Sequence, residues 1–157
     1  RPRSPRCDDC PVSLFCAARA QGDPELYPVK AAKAARPRRS GIVWILLDPT
    51  GQVAVVTRPD RGLLGGMIGL PTSDWLAEGD STPVAANPPA QADWQDAGAI
   101  DHIFTHFSLT LAVQVARVEK AAITGVEWMS LDGAEKALPT VFAKALRQRA
   151  VVQADPR

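Results

Sequence analysis

Between Ile42 and Arg58 the chain reads IVWILL, then DPTG, then QVAVVTR. The first run is continuously apolar, and the second is rich in β-branched residues. The tetrapeptide between them has Pro49 at its second position and Gly51 at its fourth, the composition of a type I turn. Two such runs around such a turn predict a β-hairpin.

The remaining segments predict the rest of an α+β domain. Gly62 to Pro71 (GLLGGMIGLP) holds four glycines in eight residues, which excludes a regular helix and suggests close backbone approach. Ser73 to Asp96 is polar, Pro-rich and poorly patterned, and Asn87-Pro88-Pro89 marks a loop. Ile100 to Phe107 predicts a strand, with a bend near Thr105 to Ser108. From Leu109 the pattern alternates, with Leu109, Leu111, Val113 and Val115 on one face. Val126 to Met129 predicts a short final strand, in which Trp128 is expected to be a large buried aromatic. Pro139 to Arg149 predicts an amphipathic helix with Val141, Phe142, Ala145 and Leu146 on its apolar face.

At 157 residues the chain suffices for one domain with an appendage. No apolar run approaches the ~20 residues of a membrane helix, and the opening Arg-Pro-Arg-Ser-Pro-Arg gives no expectation of a secretory signal. The first residue, Arg1, is not Met, which suggests a fragment or a processed product. The net charge of +1 divides unevenly: residues 1–40 carry +5 and residues 41–157 carry −4. A basic head suggests a polyanionic partner; a solvated basic tail is the plainer alternative.

All three cysteines, Cys7, Cys10 and Cys16, fall within ten residues. The odd count and tight spacing argue against a disulfide framework and for a soft-metal site. Three ligands are one fewer than zinc or an iron–sulfur cluster takes. From spacing alone an iron–sulfur site, a zinc knuckle and three unligated thiols remain open.

Three features in this order resemble the A/G-specific adenine DNA glycosylases of the MutY family. Cys7, Cys10 and Cys16 match the last three cysteines of that family's C-x6-C-x2-C-x5-C pattern. The stretch from Arg58-Pro59 through Gly65-Gly66 to Leu70-Pro71 resembles the glycine-rich loop of its Nudix-like C-terminal domain. Asp101 to Phe107 (DHIFTHF) resembles its H-x-F-S-H motif, with Thr105 where the family has Ser. The closing Trp128…Leu131-Asp132…Ala137-Leu138-Pro139-Thr140-Val141 also matches. The likeness spans residues 1–150.

The resemblance implies a Nudix-like mixed or antiparallel sheet with a C-terminal helix, preceded by an irregular cysteine loop and a linker. It implies a cluster-loop remnant at 1–23, an interdomain linker at 24–40, the Nudix-like domain at 41–150 and a tail at 151–157. The parent activity implied is base-excision repair: hydrolysis of the N-glycosidic bond of adenine mispaired with 8-oxoguanine. Its catalytic Glu and Asp belong to an N-terminal helical domain, so no carboxylate of this chain is expected to be catalytic, and the chain alone is expected to lack glycosylase activity. The implied cofactor is a [4Fe–4S] cluster on Cys7, Cys10 and Cys16, expected to be absent or incomplete without a fourth cysteine just before Arg1. Phe104, Thr105 and His106 would contact 8-oxoguanine, and Arg1, Arg3 and Arg6 the DNA backbone. Thr keeps the hydroxyl that donates and accepts. The implied partner is double-stranded DNA carrying 8-oxoguanine:adenine mispairs, met by a monomer in a bacterial-type cytoplasm.

Two alternatives stand beside this reading. One is a Nudix pyrophosphohydrolase, which needs the G-x5-E-x7-R-E-x2-E-E carboxylate cluster to hold divalent metal. The chain has only Glu25, Glu78, Glu119, Glu127 and Glu135, no two closer than eight residues, and position 72, six after Gly66, is Thr. The other is a metal-knuckle interaction module.

Overall fold

The computed structural model describes residues 4–29, 35–79 and 87–153, the last three of these as backbone. Arg1, Arg3, positions 30–34 of the expected linker and positions 154–157 of the expected tail lie outside the described residues. The chain divides into two compact units, residues 1–35 and 36–157.

The first unit is a series of turns. A 3-10 turn at Ser13–Phe15 leads into the one-turn helix α1 (Ala17–Ala20), and a second 3-10 turn follows at Pro24–Leu26. The Arg19 guanidinium ties these together by donating to the Cys7 carbonyl and the Asp8 carboxylate, both at 3.0 Å.

The second unit is built on β1 (Arg38–Leu47), which begins three residues before the expected domain boundary. From Val43 to Leu47 β1 is buried on both faces, as its unbroken apolar run requires of a central strand. Its turn leads to β2 (Gln52–Thr57), which pairs antiparallel with β1 at Leu47 and Val53, as the hairpin pattern predicts. The long partner is elsewhere. β6 (Ser108–Arg117) runs parallel to β1 over ten positions, from Arg38 opposite Ser108 to Leu47 opposite Arg117.

Shorter strands complete a mixed sheet. β3 (Ile68–Gly69) and β7 (Glu127–Ser130) pair with β2, β4 (Leu76–Ala77) pairs with β1, and β5 (Gln95–Ile103) pairs antiparallel with β6. The strand expected at Ile100 to Phe107 thus starts earlier and stops at Ile103; residues 104–107 form the turn instead.

One face of the sheet presents Val43, Ile45, Val53, Val55, Leu109 and Leu111 to the helices. Helix α2 (Leu131–Ala137) was not expected from the apolar pattern, yet Ser130 caps it by accepting from the Gly133 N–H at 3.2 Å. Helix α3 (Thr140–Gln153) runs four residues past the predicted Arg149, and it buries the predicted Val141, Phe142, Ala145 and Leu146. The opposite face is covered by loops, with Trp94 and Trp128 packed around Leu46, Ala54 and Ile123. Trp128 is half-buried rather than fully enclosed, because loop residues and not a helix cover it.

The β1–β2 turn is held by Asp48, whose side chain is 1% exposed. Its carboxylate accepts from the Thr50 hydroxyl and the Gln52 N–H, each at 2.6 Å, and meets Lys120 Nζ at 3.2 Å. Burial pushes its pKa up, but these donors and the Lys120 charge outweigh that and hold it below the usual carboxylate range. The turn's contribution is therefore complete above the unfolded carboxylate pKa and is lost as pH falls through the lower folded value. Asp48→Asn is expected to lower Tm at neutral pH, and the gap to the wild type should narrow at an acid pH below the ordinary carboxylate range. Thermal unfolding at both pH values checks this; a gap that stays constant with pH would show that the charge contributes nothing.

Candidate nucleic-acid interface

Strands β5 and β6 meet in a tight turn, Phe104-Thr105-His106-Phe107, closed by the Phe104 N–H donating to the Phe107 carbonyl at 2.9 Å. The two central residues of the turn point outward. Thr105 and His106 are both exposed at the tip. Their flanking phenylalanines turn inward, Phe107 fully and Phe104 by half.

The turn rests on an aromatic cluster. The Phe104 and Phe107 rings are 4.9 Å apart, and Trp75 stacks on Phe104 at 6.1 Å. Trp75 also meets Phe107 and Phe142, each at 6.5 Å. Offset and tilted contacts at these separations are favourable beyond the area they bury, by about 0.5–1.5 kcal/mol per pair. The Trp75 Nε1 is buried with no hydrogen-bond partner among the described residues, so it is the faces of the indole that hold this residue in place.

Two glycines make room for the rings. A Cβ on Gly41 would come within 2.9 Å of Trp75 Cδ1, and a Cβ on Gly69 within 2.9 Å of Phe142 Cε2. The close backbone approach predicted in the glycine-rich segment falls at Gly65, where a Cβ would collide with the Asp60 carbonyl, and Gly69 at its end meets the α3 aromatic beneath the turn. The polar look of residues 73–96 concealed Trp75; its only signal was a lone large aromatic just after Leu70-Pro71.

The two histidines play different parts. His102 lies edge-on to Phe104 with centroids 4.5 Å apart, and burial together with the Lys144 charge lowers its pKa. It is therefore neutral at neutral pH and belongs to the buttress. His106 at the exposed tip is the histidine free to meet a ligand. The pair does not share one strand face, because His106 sits in the turn.

In the first unit Cys7, Cys10 and Cys16 are free and half-buried, and Arg6 is exposed. Among the described residues no three His, Cys, Asp or Glu side chains are brought together to hold a metal ion. Three thiols fall one short of a [4Fe–4S] ligand set.

Residues 42–148 match the family model described as the NUDIX domain. Solved structures share the fold. The C-terminal domain of mouse MUTYH, in complex with human PCNA, is 20% identical over 78% of this chain and 92% of that chain, with a TM-score of 0.56. The MutT protein from Methanosarcina mazei Go1 is 12% identical over 78% of this chain and 100% of that chain, with a TM-score of 0.58. The NUDIX domain of Shewanella oneidensis NrtR, complexed with ADP ribose, is 16% identical over 88% and 99%, with a TM-score of 0.52.

Gly69→Ala is expected to destabilise the domain by about 1–3 kcal/mol, because fully buried Phe142 has nowhere to move. Urea unfolding measures this; a wild-type midpoint would mean that the ring packing is looser than described.

Proposed function

The chain belongs to the Nudix family, and from that premise we propose that it is a DNA reader of the adenine glycosylase type, which recognises 8-oxoguanine opposite adenine. The observation that carries this is the β5–β6 turn. It holds the Thr105 hydroxyl and the His106 imidazole in solvent on a rigid aromatic base. A site that discriminates bases needs its donors and acceptors fixed before contact, so that binding costs little ordering entropy.

8-Oxoguanine differs from guanine by a carbonyl at C8 and a proton at N7. An acceptor edge thus becomes a donor edge, and a hydroxyl of either polarity reports the change. Thr105 carries that hydroxyl at the tip, and His106 would reach a neighbouring phosphate. Adenine removal itself would need an acid and a carboxylate stabiliser in a separate catalytic domain, so this chain would contribute recognition and not bond cleavage.

The fold likeness to MutT favours a second reading, hydrolysis of nucleotide pyrophosphates. That chemistry needs several carboxylates around divalent metal. The five glutamates of this chain are at least eight residues apart in sequence, and among the described residues no acidic group of three converges.

Titration with duplexes carrying 8-oxoguanine:adenine or guanine:adenine at several salt concentrations tests the proposal. Tighter binding to the first at every salt is expected; equal binding would leave nonspecific electrostatics alone. Thr105→Val, which keeps the shape and loses the hydroxyl, should reduce the preference by roughly two- to tenfold without altering salt dependence. Magnesium-dependent turnover of nucleotide pyrophosphates would instead support the hydrolase.

A further inference from the structure

The aromatic cluster under the turn carries two guanidiniums that base reading does not use. Arg39 Cζ lies 4.5 Å from the Phe107 ring centroid. Arg58 Cζ lies 5.1 Å from that of Trp75 and 5.7 Å from that of Phe142. Both arginines line a single cleft of about 640 Å³, whose walls also carry the side chains of Thr57 and Ser73. The register places Arg39 opposite Leu109, two residues past the Phe107 that closes the turn. The cleft therefore adjoins the exposed tip.

The charge on this wall is uncommitted. Among the described residues Arg19, Arg38 and Arg149 have carboxylate partners, whereas Arg39 and Arg58 form no ion pair. Arg58 Nε donates to the Leu63 carbonyl at 3.3 Å, and its two terminal nitrogens have no hydrogen-bond partner among the described residues. Burial lowers its pKa from the usual value, but a guanidinium stays charged at neutral pH. Asp74 is the carboxylate on the cleft wall, and it is exposed and pairs with neither arginine. Stacking on a ring face fixes the plane of a guanidinium and leaves its N–H edge available, the edge that matches phosphate oxygens two at a time.

We propose that Arg39 and Arg58 grip the sugar–phosphate backbone of the duplex beside the base that the turn reads. This rests on the DNA-reading proposal and adds the residues that set the register of the tip on the helix. Phosphate contacts position a protein without carrying sequence information. The two arginines therefore govern affinity and salt dependence, while Thr105 governs preference.

The test is a salt titration of wild type, Arg39→Ala, Arg39→Lys and Arg58→Ala against duplexes with and without 8-oxoguanine. ADP serves as the free-phosphate probe, and Tm monitors folding. Each alanine variant should weaken both duplexes by the same factor and reduce the log–log salt slope by about one. Arg39→Lys should retain the slope, since the charge remains. A folded Arg39→Ala variant with wild-type affinity and slope would overturn the proposal. So would loss of ADP binding with duplex binding intact, because the cleft would then serve a free nucleotide. If the wild type shows no lesion preference and the slope still falls in Arg39→Ala, base reading fails and the backbone contact stands.

Discussion

The parallel pairing of β1 with β6 organises this domain. Its ten paired positions join segments some seventy residues apart in the chain, and both strands donate alternate side chains to the core under α3. A parallel pair has no local turn to hold it together, so it persists only when both strands are buried and the crossover folds back over the sheet. Here that burial is supplied by α3 on one face and the tryptophan-lined loops on the other. The same pairing sets Arg38 and Arg39 beside the end of the β5–β6 turn. Architecture and interface thus depend on one register, and a slip by one residue would carry every core side chain of β6 to the opposite face.

From that register follows a division of labour around the turn. Thr105 and His106 face outward, Phe104 and Phe107 face inward, and Trp75 and Phe142 close the base. The outward residues are short and polar, suited to hydrogen bonding at a base edge. The inward ones are planar and apolar, suited to holding a loop still. Among the described residues the fold carries this arrangement with no converging group of three carboxylates, and function resides in sites placed on folds. Two positive side chains rest on the same rings, so the surface that stiffens the turn also carries charge.

What was legible in the sequence was local. The apolar run Ile42–Leu47 marked a strand, the Asp48–Gly51 turn marked its hairpin, and alternation marked the core face of β6. The Val141, Phe142, Ala145 and Leu146 spacing marked the buried face of α3. The parallel partner of β1 was hidden because nothing in either strand encodes a contact across that separation. Arg38 and Arg39 looked like the end of a basic linker, since exposed charges at a strand entrance read the same as a solvated tail. Trp75 was hidden in a proline-rich stretch whose structure comes from docking onto Gly41 and the rings and not from periodicity. The short helix α2 did carry a signal in the Ser130 cap and the Asp132–Lys136 spacing, an ion pair of 2.7 Å. Its single buried alanine gave too weak an apolar pattern to show it.

The central claim is that the Phe104–Phe107 turn and the adjoining cleft form the surface that meets damaged DNA. Amide chemical-shift mapping of the isotope-labelled chain, titrated with an 8-oxoguanine:adenine duplex, tests it most directly. Shifts should concentrate at residues 103–107, at Arg38 and Arg39, and along residues 57–58 and 72–75, while the α2 and α3 surfaces stay unmoved. Shifts confined to other faces of the sheet domain, or none at saturating duplex, would contradict it.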